Sequence, residues 1–211
     1  MANASYIDWL QGRPDQAADN LGQALGIFRD LDDRNGECHA LVNLGAVRLS
    51  QGRYQQGHAE LEQALRLCRK LNNRSGEAHA LAGLGDAECK LGNHRQAVAR
   101  LTESLALLCR IGERAGEAEA LNGLGQAYCA AGDPDSARAQ HAAALEIAAG
   151  IGEKYQQARA HEGLAVSSTA AGDHGRAREH WQQAAARYAE LGAPEAAQIQ
   201  ARLGTPVSTG G

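Results

Sequence analysis

The stretch Gly76-Glu77-Ala78-His79-Ala80-Leu81-Ala82-Gly83-Leu84-Gly85 returns, with few changes, forty residues earlier and forty residues later. Three kinds of position recur with it: Gly-Glu pairs at the start of each copy, a Leu followed by a small residue in the middle, and a glycine that divides the copy in two. These are Gly36, Gly76 and Gly116; Leu44, Leu84, Leu124 and Leu164; and Gly12, Gly52, Gly92, Gly132 and Gly172. Self-similarity at a fixed period of this size indicates a repeat array.

The composition indicates helices packed on helices. Hydrophobic residues make up 44% of the 211-residue chain, but aromatic residues make up only 4%. Small apolar side chains allow helices to approach closely, and no stretch alternates β-branched or aromatic residues with polar ones as a strand does. We therefore expect an all-α solenoid, in which each repeat packs on its neighbours and no central core exists.

The repeats divide the chain into units that we expect to be antiparallel helix pairs. The predicted boundaries are an incomplete first unit at 1–35, full units at 36–75, 76–115, 116–155 and 156–195, a capping helix at 196–203 and a disordered tail at 204–211. Because residue 1 aligns inside the first helix of a unit, we expect either a shortened first helix or a chain that continues upstream.

The residues between the two helices of a unit have the chemistry of a tight turn. Gly132 can adopt the left-handed conformation that ends a helix, Asp133 can cap the next helix, and Pro134 suits its first turn. Asn93 and Asp173 occupy the same predicted capping position. Glu37, Glu77 and Glu117 stand in the first turn of each unit, where a carboxylate favours the positive end of the helix dipole.

The spacing of the residue types that recur from unit to unit resembles that of the tetratricopeptide repeat. The positions that carry the resemblance are Leu81, Leu84, Gly85, Gly92, Ala97 and Leu101, with the column Ala64, Ser104, Ala144 and Ala184. The usual unit has 34 residues; the longer unit here resembles those of LGN-type adaptors and of the sensor regions of bacterial multidomain transcription regulators. The resemblance implies a right-handed superhelical solenoid whose first helices line a concave groove that takes a protein or peptide segment.

By register, the resemblance places ten polar side chains on the groove. They are His39, Asn43, His79, Asp86, Lys90, Glu119, Asn122, Gln126, Arg159 and Glu162. Amide side chains in this set can hydrogen-bond a peptide backbone. Gly83, Gly123 and Gly163 have two interpretations, since they can admit a peptide backbone or simply permit tight helix contacts. Val42, Ala46 and Ala82 replace the Lys and Asn side chains with which some relatives clamp a C-terminal carboxylate.

Several other functions are not favoured by the sequence. The formal net charge of -4 gives no general attraction to phosphate backbones, and no run of about 18 apolar residues predicts a membrane span. His39 and His79 would lie about 8–10 Å apart on neighbouring helices, too far to share one metal ion. No phosphate loop or nucleophile motif is present, so we expect no enzyme activity and no cofactor. Because the sequence also has no secretory signal, we expect a cytoplasmic location. The five cysteines are interpreted as small apolar residues in helix packing, with a redox or metal role as the alternative.

These observations lead to three hypotheses. The preferred one is a non-catalytic protein-binding domain, the regulatory or sensor part of a larger bacterial regulator. The second is a free-standing adaptor or self-associating scaffold, a homodimer that meets through the array ends around Tyr6, Trp9 and Trp181. The third, from a different class, is a small-molecule site or an enzyme.

Overall fold

The computed structural model describes residues 13–204. Tyr6, Trp9 and residues 205–211 of the predicted tail lie outside the described residues, whereas Gly204, which also belongs to that predicted tail, is the last residue of the final helix. Ten helices follow one another within this range, and no strand interrupts them. Their bounds are α1 Pro14–Asp30, α2 Arg34–Ser50, α3 Tyr54–Lys70, α4 Arg74–Lys90, α5 His94–Ile111, α6 Arg114–Ala130, α7 Pro134–Ile151, α8 Lys154–Ala170, α9 His174–Glu190 and α10 Glu195–Gly204.

The helices form a solenoid that curves toward α2, α4, α6 and α8, the first helices of the units. Each helix packs against the next one in the chain, and each first helix also contacts the next first helix. The backbones of successive second helices, which are α1, α3, α5, α7 and α9, lie farther apart: in the described part of the chain none of their Cα atoms come within 8 Å of one another, and long side chains such as those of Arg100 and Glu62 span the gap. An array that is closer together on one side curves toward that side. The first helices therefore line the concave face, as the sequence predicted.

Most of the predicted turn chemistry is found at the helix ends. Gly132 has a φ of 83°, the side chain of Asp133 accepts a hydrogen bond from the backbone N–H of Ser136, and Pro134 opens α7. Asp173 caps α9 in the same way. Asn93 is an exception, because its amide donates to Glu88 instead of capping α5. The buried carboxylate of Glu88 competes successfully for this side chain.

Glycines of neighbouring first helices leave a space between them, which we call a notch, and a side chain from a second helix packs into it. Leu61 of α3 lies between Gly45 and Gly83, and a Cβ atom at Gly83 would lie 2.8 Å from Cδ2 of Leu61. Leu101 and His141 occupy the equivalent notches of the next two units, between Gly85 and Gly123 and between Gly125 and Gly163. The structure thus supports the second interpretation of Gly83, Gly123 and Gly163, that they permit tight helix contacts.

The glutamates at the starts of the first helices are buried, and they form ion pairs with arginines that are about half exposed. Glu37 accepts hydrogen bonds from Arg29 and Arg34, which lower the pKa of its carboxyl group although burial opposes this. Glu77 repeats the arrangement with Arg69 and Arg74. These carboxylates therefore tie the end of one unit to the start of the next, in addition to any effect on the helix dipole.

Cys38 of α2 and Cys68 of α3 are joined by a disulfide, with their Cα atoms 6.0 Å apart. Both residues are fully buried. The interpretation of all five cysteines as packing residues alone is therefore wrong for this pair. The next unit has Ala78 and Leu108 at the two positions, so the same space is filled there by ordinary apolar packing.

The C-terminal end of the array is closed by α10. Trp181 of α9 is only 6% exposed, and the guanidinium of Arg202 in α10 lies 4.5 Å from the centre of its ring. Ile199 and Leu203 of α10 pack into the same cluster. The prediction of Trp181 as a terminal contact for another molecule is corrected by this arrangement, because the helix that follows covers the ring.

Candidate functional site

The concave face brings together most of the ten side chains that the sequence placed there, and five of them form no hydrogen bond within residues 13–204. The five are His39, Asn43, Asp86, Lys90 and Glu119. His39 and Lys90 are exposed, and the other three are half-buried. These five residues, which we call the open groove residues, keep their polar atoms available to a partner.

Another four of the predicted side chains are used inside the protein. His79 of α4 pairs with Glu113, which precedes α6 in the next unit. Arg159 of α8 donates to the side chain of Gln126 in α6 across 3.4 Å. Glu162 accepts a hydrogen bond of 3.0 Å from the hydroxyl of the buried Tyr188. These side chains lie on or beside the concave face, but their contacts between helices also hold the array together.

Asn122 is the one predicted site residue that is fully buried. Its Nδ2 atom donates to the backbone carbonyl and the side-chain carbonyl of Gln156, at 3.0 and 3.1 Å. Its Oδ1 atom therefore faces His141 Nδ1, at 3.1 Å. The prediction that Asn122 contacts a peptide is corrected, since every polar atom of its side chain is already paired.

Charges of both signs meet in the middle of the concave face. Burial raises the pKa of Asp86, and the nearby positive charges of Arg159 and Lys90 partly offset this effect while Glu119 adds to it. Burial lowers the pKa of Arg159, but the surrounding acidic groups outweigh it, so that its pKa is raised. Asp86, Glu119 and Arg159 therefore form a half-buried charged cluster that contains two carboxylates for one guanidinium.

His141 is a functional candidate that sequence reasoning missed. It occupies the notch that Leu61 and Leu101 fill in earlier units, and it is 1% exposed. Burial, together with the charge of Arg159, lowers its pKa to about 4, so the imidazole is neutral at pH 7. The available signal was a polar residue at a position where the two preceding units have Leu.

A shallow cavity of about 390 Å³ opens beside His141 between the first helices of three units. Its lining residues are Cys89 and Lys90 of α4; Gln126, Cys129 and Ala130 of α6; His141 of α7; and Glu162, Gly163 and Val166 of α8. We call this cavity the concave pocket. Three of the predicted groove residues, Lys90, Gln126 and Glu162, lie on its wall.

The described residues offer no arrangement for a resident metal ion. Within the range 13–204, no three His, Cys, Asp or Glu side chains are grouped as ligands. In the same range, no helix is both long enough and apolar enough to cross a bilayer. The concave face supplies hydrogen-bonding groups, charges of both signs and apolar surface.

Comparison with solved structures gives the fold independently. A signal-transduction ATPase with numerous domains from Pyrococcus horikoshii, which has a tetratricopeptide-repeat sensor, superposes with a TM-score of 0.70 at 18% identity, covering 94% of this chain and 31% of that one. A Rap protein in complex with competence and sporulation factor gives 0.69 at 17% identity, covering 94% and 60%. BtubC from P. vanneervenii gives 0.68 at 15% identity, covering 94% and 82%.

The sequence itself also identifies the repeat. No curated protein matches the chain significantly. The sequence profile described as tetratricopeptide repeat matches residues 36–110, 77–150 and 116–190, and these overlapping matches together cover most of the chain. The groove lies within this matched region, and repeats of this kind mediate interactions between proteins. The chain is therefore a member of the tetratricopeptide-repeat family.

Proposed function

We propose that the concave face binds a segment of a partner protein, and that the array serves as the regulatory or sensor part of a larger bacterial regulator. The observation that carries the proposal is the set of open groove residues. Polar side chains on a curved, regular wall that form no hydrogen bond within residues 13–204 are suited to bind an extended or helical segment. The convex side differs, since many of its charged residues are already paired with one another, as Glu62 is with Arg100.

The similar structures support the sensor interpretation. One of them is a Rap protein in complex with competence and sporulation factor, and another carries a tetratricopeptide-repeat sensor in a signal-transduction ATPase with numerous domains. A regulator of this kind acts in the cytoplasm, where disulfides are uncommon, so the bond between Cys38 and Cys68 would be subject to reduction there. The packing of Ala78 and Leu108 in the next unit indicates that such a pair is not needed to form a helix hairpin.

The test uses peptides selected from a displayed random library with the wild-type protein. Their dissociation constants are measured by fluorescence anisotropy against a groove variant, His39→Ala with Asn43→Ala and Glu119→Ala. A matched control changes three exposed residues of second helices, Gln63→Ala, Gln96→Ala and Gln183→Ala. We expect the groove variant to bind at least tenfold more weakly and the control to bind normally. Equal binding to all three proteins would remove the concave face as the binding site.

A further inference from the structure

His141 lines the concave pocket, and its Nε2 atom is a hydrogen-bond acceptor that no group within residues 13–204 uses. Asn122 donates both of its amide hydrogens to Gln156, so its Oδ1 atom must accept from His141. The Nδ1 atom of His141 therefore carries the proton of the neutral ring. Nε2 is left as a lone-pair acceptor, and within the described residues it has no hydrogen-bond partner.

The remaining wall of the pocket near this acceptor is largely apolar. Cys89 and Cys129 are half-buried, and burial raises the pKa of Cys89, so that its thiol stays protonated at neutral pH. Val166 and the backbone at Gly163 complete the wall. A protonated thiol behaves as a small hydrophobic group. The polar groups Lys90, Gln126 and Glu162 stand around this surface, and they suit the backbone or neighbouring side chains of a bound segment.

The volume of the concave pocket limits the size of the group that can bind in it. A cavity of about 390 Å³ lies at the small end of the range of roughly 300–1,000 Å³ that is typical of ligand sites. It has room for one large side chain and not for a folded partner. A large side chain that is apolar along its body and has a donor at its tip would fill the pocket and also satisfy Nε2. Tyrosine and tryptophan have this combination.

We propose that the concave pocket is an anchor site for a tyrosine or tryptophan side chain of a partner protein, with its O–H or N–H donated to Nε2 of His141. This inference rests on the proposed function, because it specifies what the concave face recognises. The body of the ring lies against Cys89, Cys129 and Val166. The open groove residues then contact the flanking parts of the segment, which fixes its direction across the first helices.

The pocket offers two informative variants. Ala130→Trp places a large side chain at an exposed position on the pocket wall, and Ala142→Trp, exposed on α7 away from the pocket, is its matched control. His141→Leu removes the acceptor and restores the residue type of Leu101. Circular dichroism establishes that each variant is folded before its binding is measured.

The experiment selects displayed random peptides separately on the wild type and on His141→Leu, and measures selected peptides against all variants. We expect one Tyr or Trp to be enriched at a single position on the wild type. Replacement of that residue by Phe should weaken binding about tenfold for Tyr, since a donor is lost while the ring is kept. On His141→Leu the preference should shift to Phe, Leu or Met. Ala130→Trp should reduce binding at least tenfold, and Ala142→Trp should leave it unchanged.

Other outcomes separate this inference from the proposed function. If selected peptides lose affinity for the groove variant but bind Ala130→Trp normally, the groove binds peptides and the anchor inference is overturned. Enrichment of donor-free apolar residues that His141→Leu does not alter would also overturn it. If the wild type selects no peptide that depends on the groove residues, both the inference and the proposed function fail.

Discussion

The Nδ1 atom of His141 donates a hydrogen bond to Oδ1 of Asn122 across 3.1 Å, and both side chains are buried where earlier units have apolar residues. Leu101 and Ala82 hold these two positions one unit earlier. The pair therefore replaces an apolar contact by a hydrogen bond in one unit of the array. The energetic coupling of the two residues can be measured by substituting the residues of the neighbouring unit.

We expect Asn122→Ala alone to destabilise the protein by about 1–3 kcal/mol, because it leaves the buried Nδ1–H of His141 without a partner. His141→Leu alone should also destabilise the protein, because it leaves the buried Oδ1 of Asn122 without a donor, although Asn122 keeps both hydrogen bonds to Gln156. The double variant should be more stable than the sum of the two effects by about 0.5–3 kcal/mol. Urea unfolding of the four proteins measures this coupling, and strictly additive effects would contradict the pairing.

The buried imidazole should make stability depend on pH. The folded-state pKa of His141 is lowered to about 4, whereas an unfolded His titrates near pH 6.5. The unfolded chain therefore binds more protons between these values, so stability is fully present above pH 6.5 and is lost as the pH falls toward 4. The full effect is about 3 kcal/mol at most. Burial and the nearby His180 also lower the pKa of His161 to about 4, so both histidines contribute in this window.

The variant His141→Leu with Asn122→Ala should therefore lose less stability than the wild type between pH 7 and pH 4.5. The comparison requires urea unfolding at several pH values, with His161→Leu as a second variant that restores the residue type of Leu121. A pH dependence of the first variant identical to that of the wild type would show that His141 is not buried in its neutral form.

The glycine notches should respond differently from exposed helical glycines. At Gly83 an added Cβ would lie 2.8 Å from the side chain of Leu61, so Gly83→Ala must displace a core residue and should cost about 1–3 kcal/mol. Gly26 of α1 is exposed, and a Cβ there would meet nothing within 4 Å. Gly26→Ala should instead stabilise the protein by about 0.5–1 kcal/mol, because alanine has the higher helix propensity. Thermal unfolding measures the change in stability of both variants, and equal changes would contradict the packing of Leu61 against Gly83.

The disulfide between Cys38 and Cys68 should stabilise the oxidised protein. The two residues are 30 positions apart, and closing a loop of this length in the unfolded chain corresponds to about 3–4 kcal/mol. We expect dithiothreitol to lower the free energy of unfolding of the wild type by an amount of this order. Cys38→Ala with Cys68→Leu, which copies Ala78 and Leu108, should be insensitive to dithiothreitol. A wild type with the same stability in both conditions would contradict a disulfide.

The fold could be predicted from the sequence because every unit repeats the same pattern of glycine, leucine and turn residues. The glycines, the Leu columns and the turn residues at 132–134 each have one physical role, and several copies of each were available to compare. The concave face followed from the resemblance to the tetratricopeptide repeat, which implies that the first helices line it, and register then named the positions on those helices.

The details of the site depend on pairs of residues that occur in one unit only. Asn122 has the register of a groove residue, but its side chain is buried, because its Oδ1 atom accepts a hydrogen bond from Nδ1 of His141. Cys38 and Cys68 gave no spacing signal, since they lie on different helices and meet only after the hairpin forms. Similarly, a large aromatic residue such as Trp181 near the end of the array suggested a contact with another molecule. The sequence did not show that α10 packs over this ring.

The central claim is that the face formed by α2, α4, α6 and α8 is where a partner binds. Chemical-shift mapping of the ¹⁵N-labelled protein with a selected peptide tests it most directly. We expect the perturbed amides to lie on these four first helices, concentrated near Asp86, Glu119 and the concave pocket. Perturbations concentrated instead on the second helices α3, α5, α7 and α9 would contradict it.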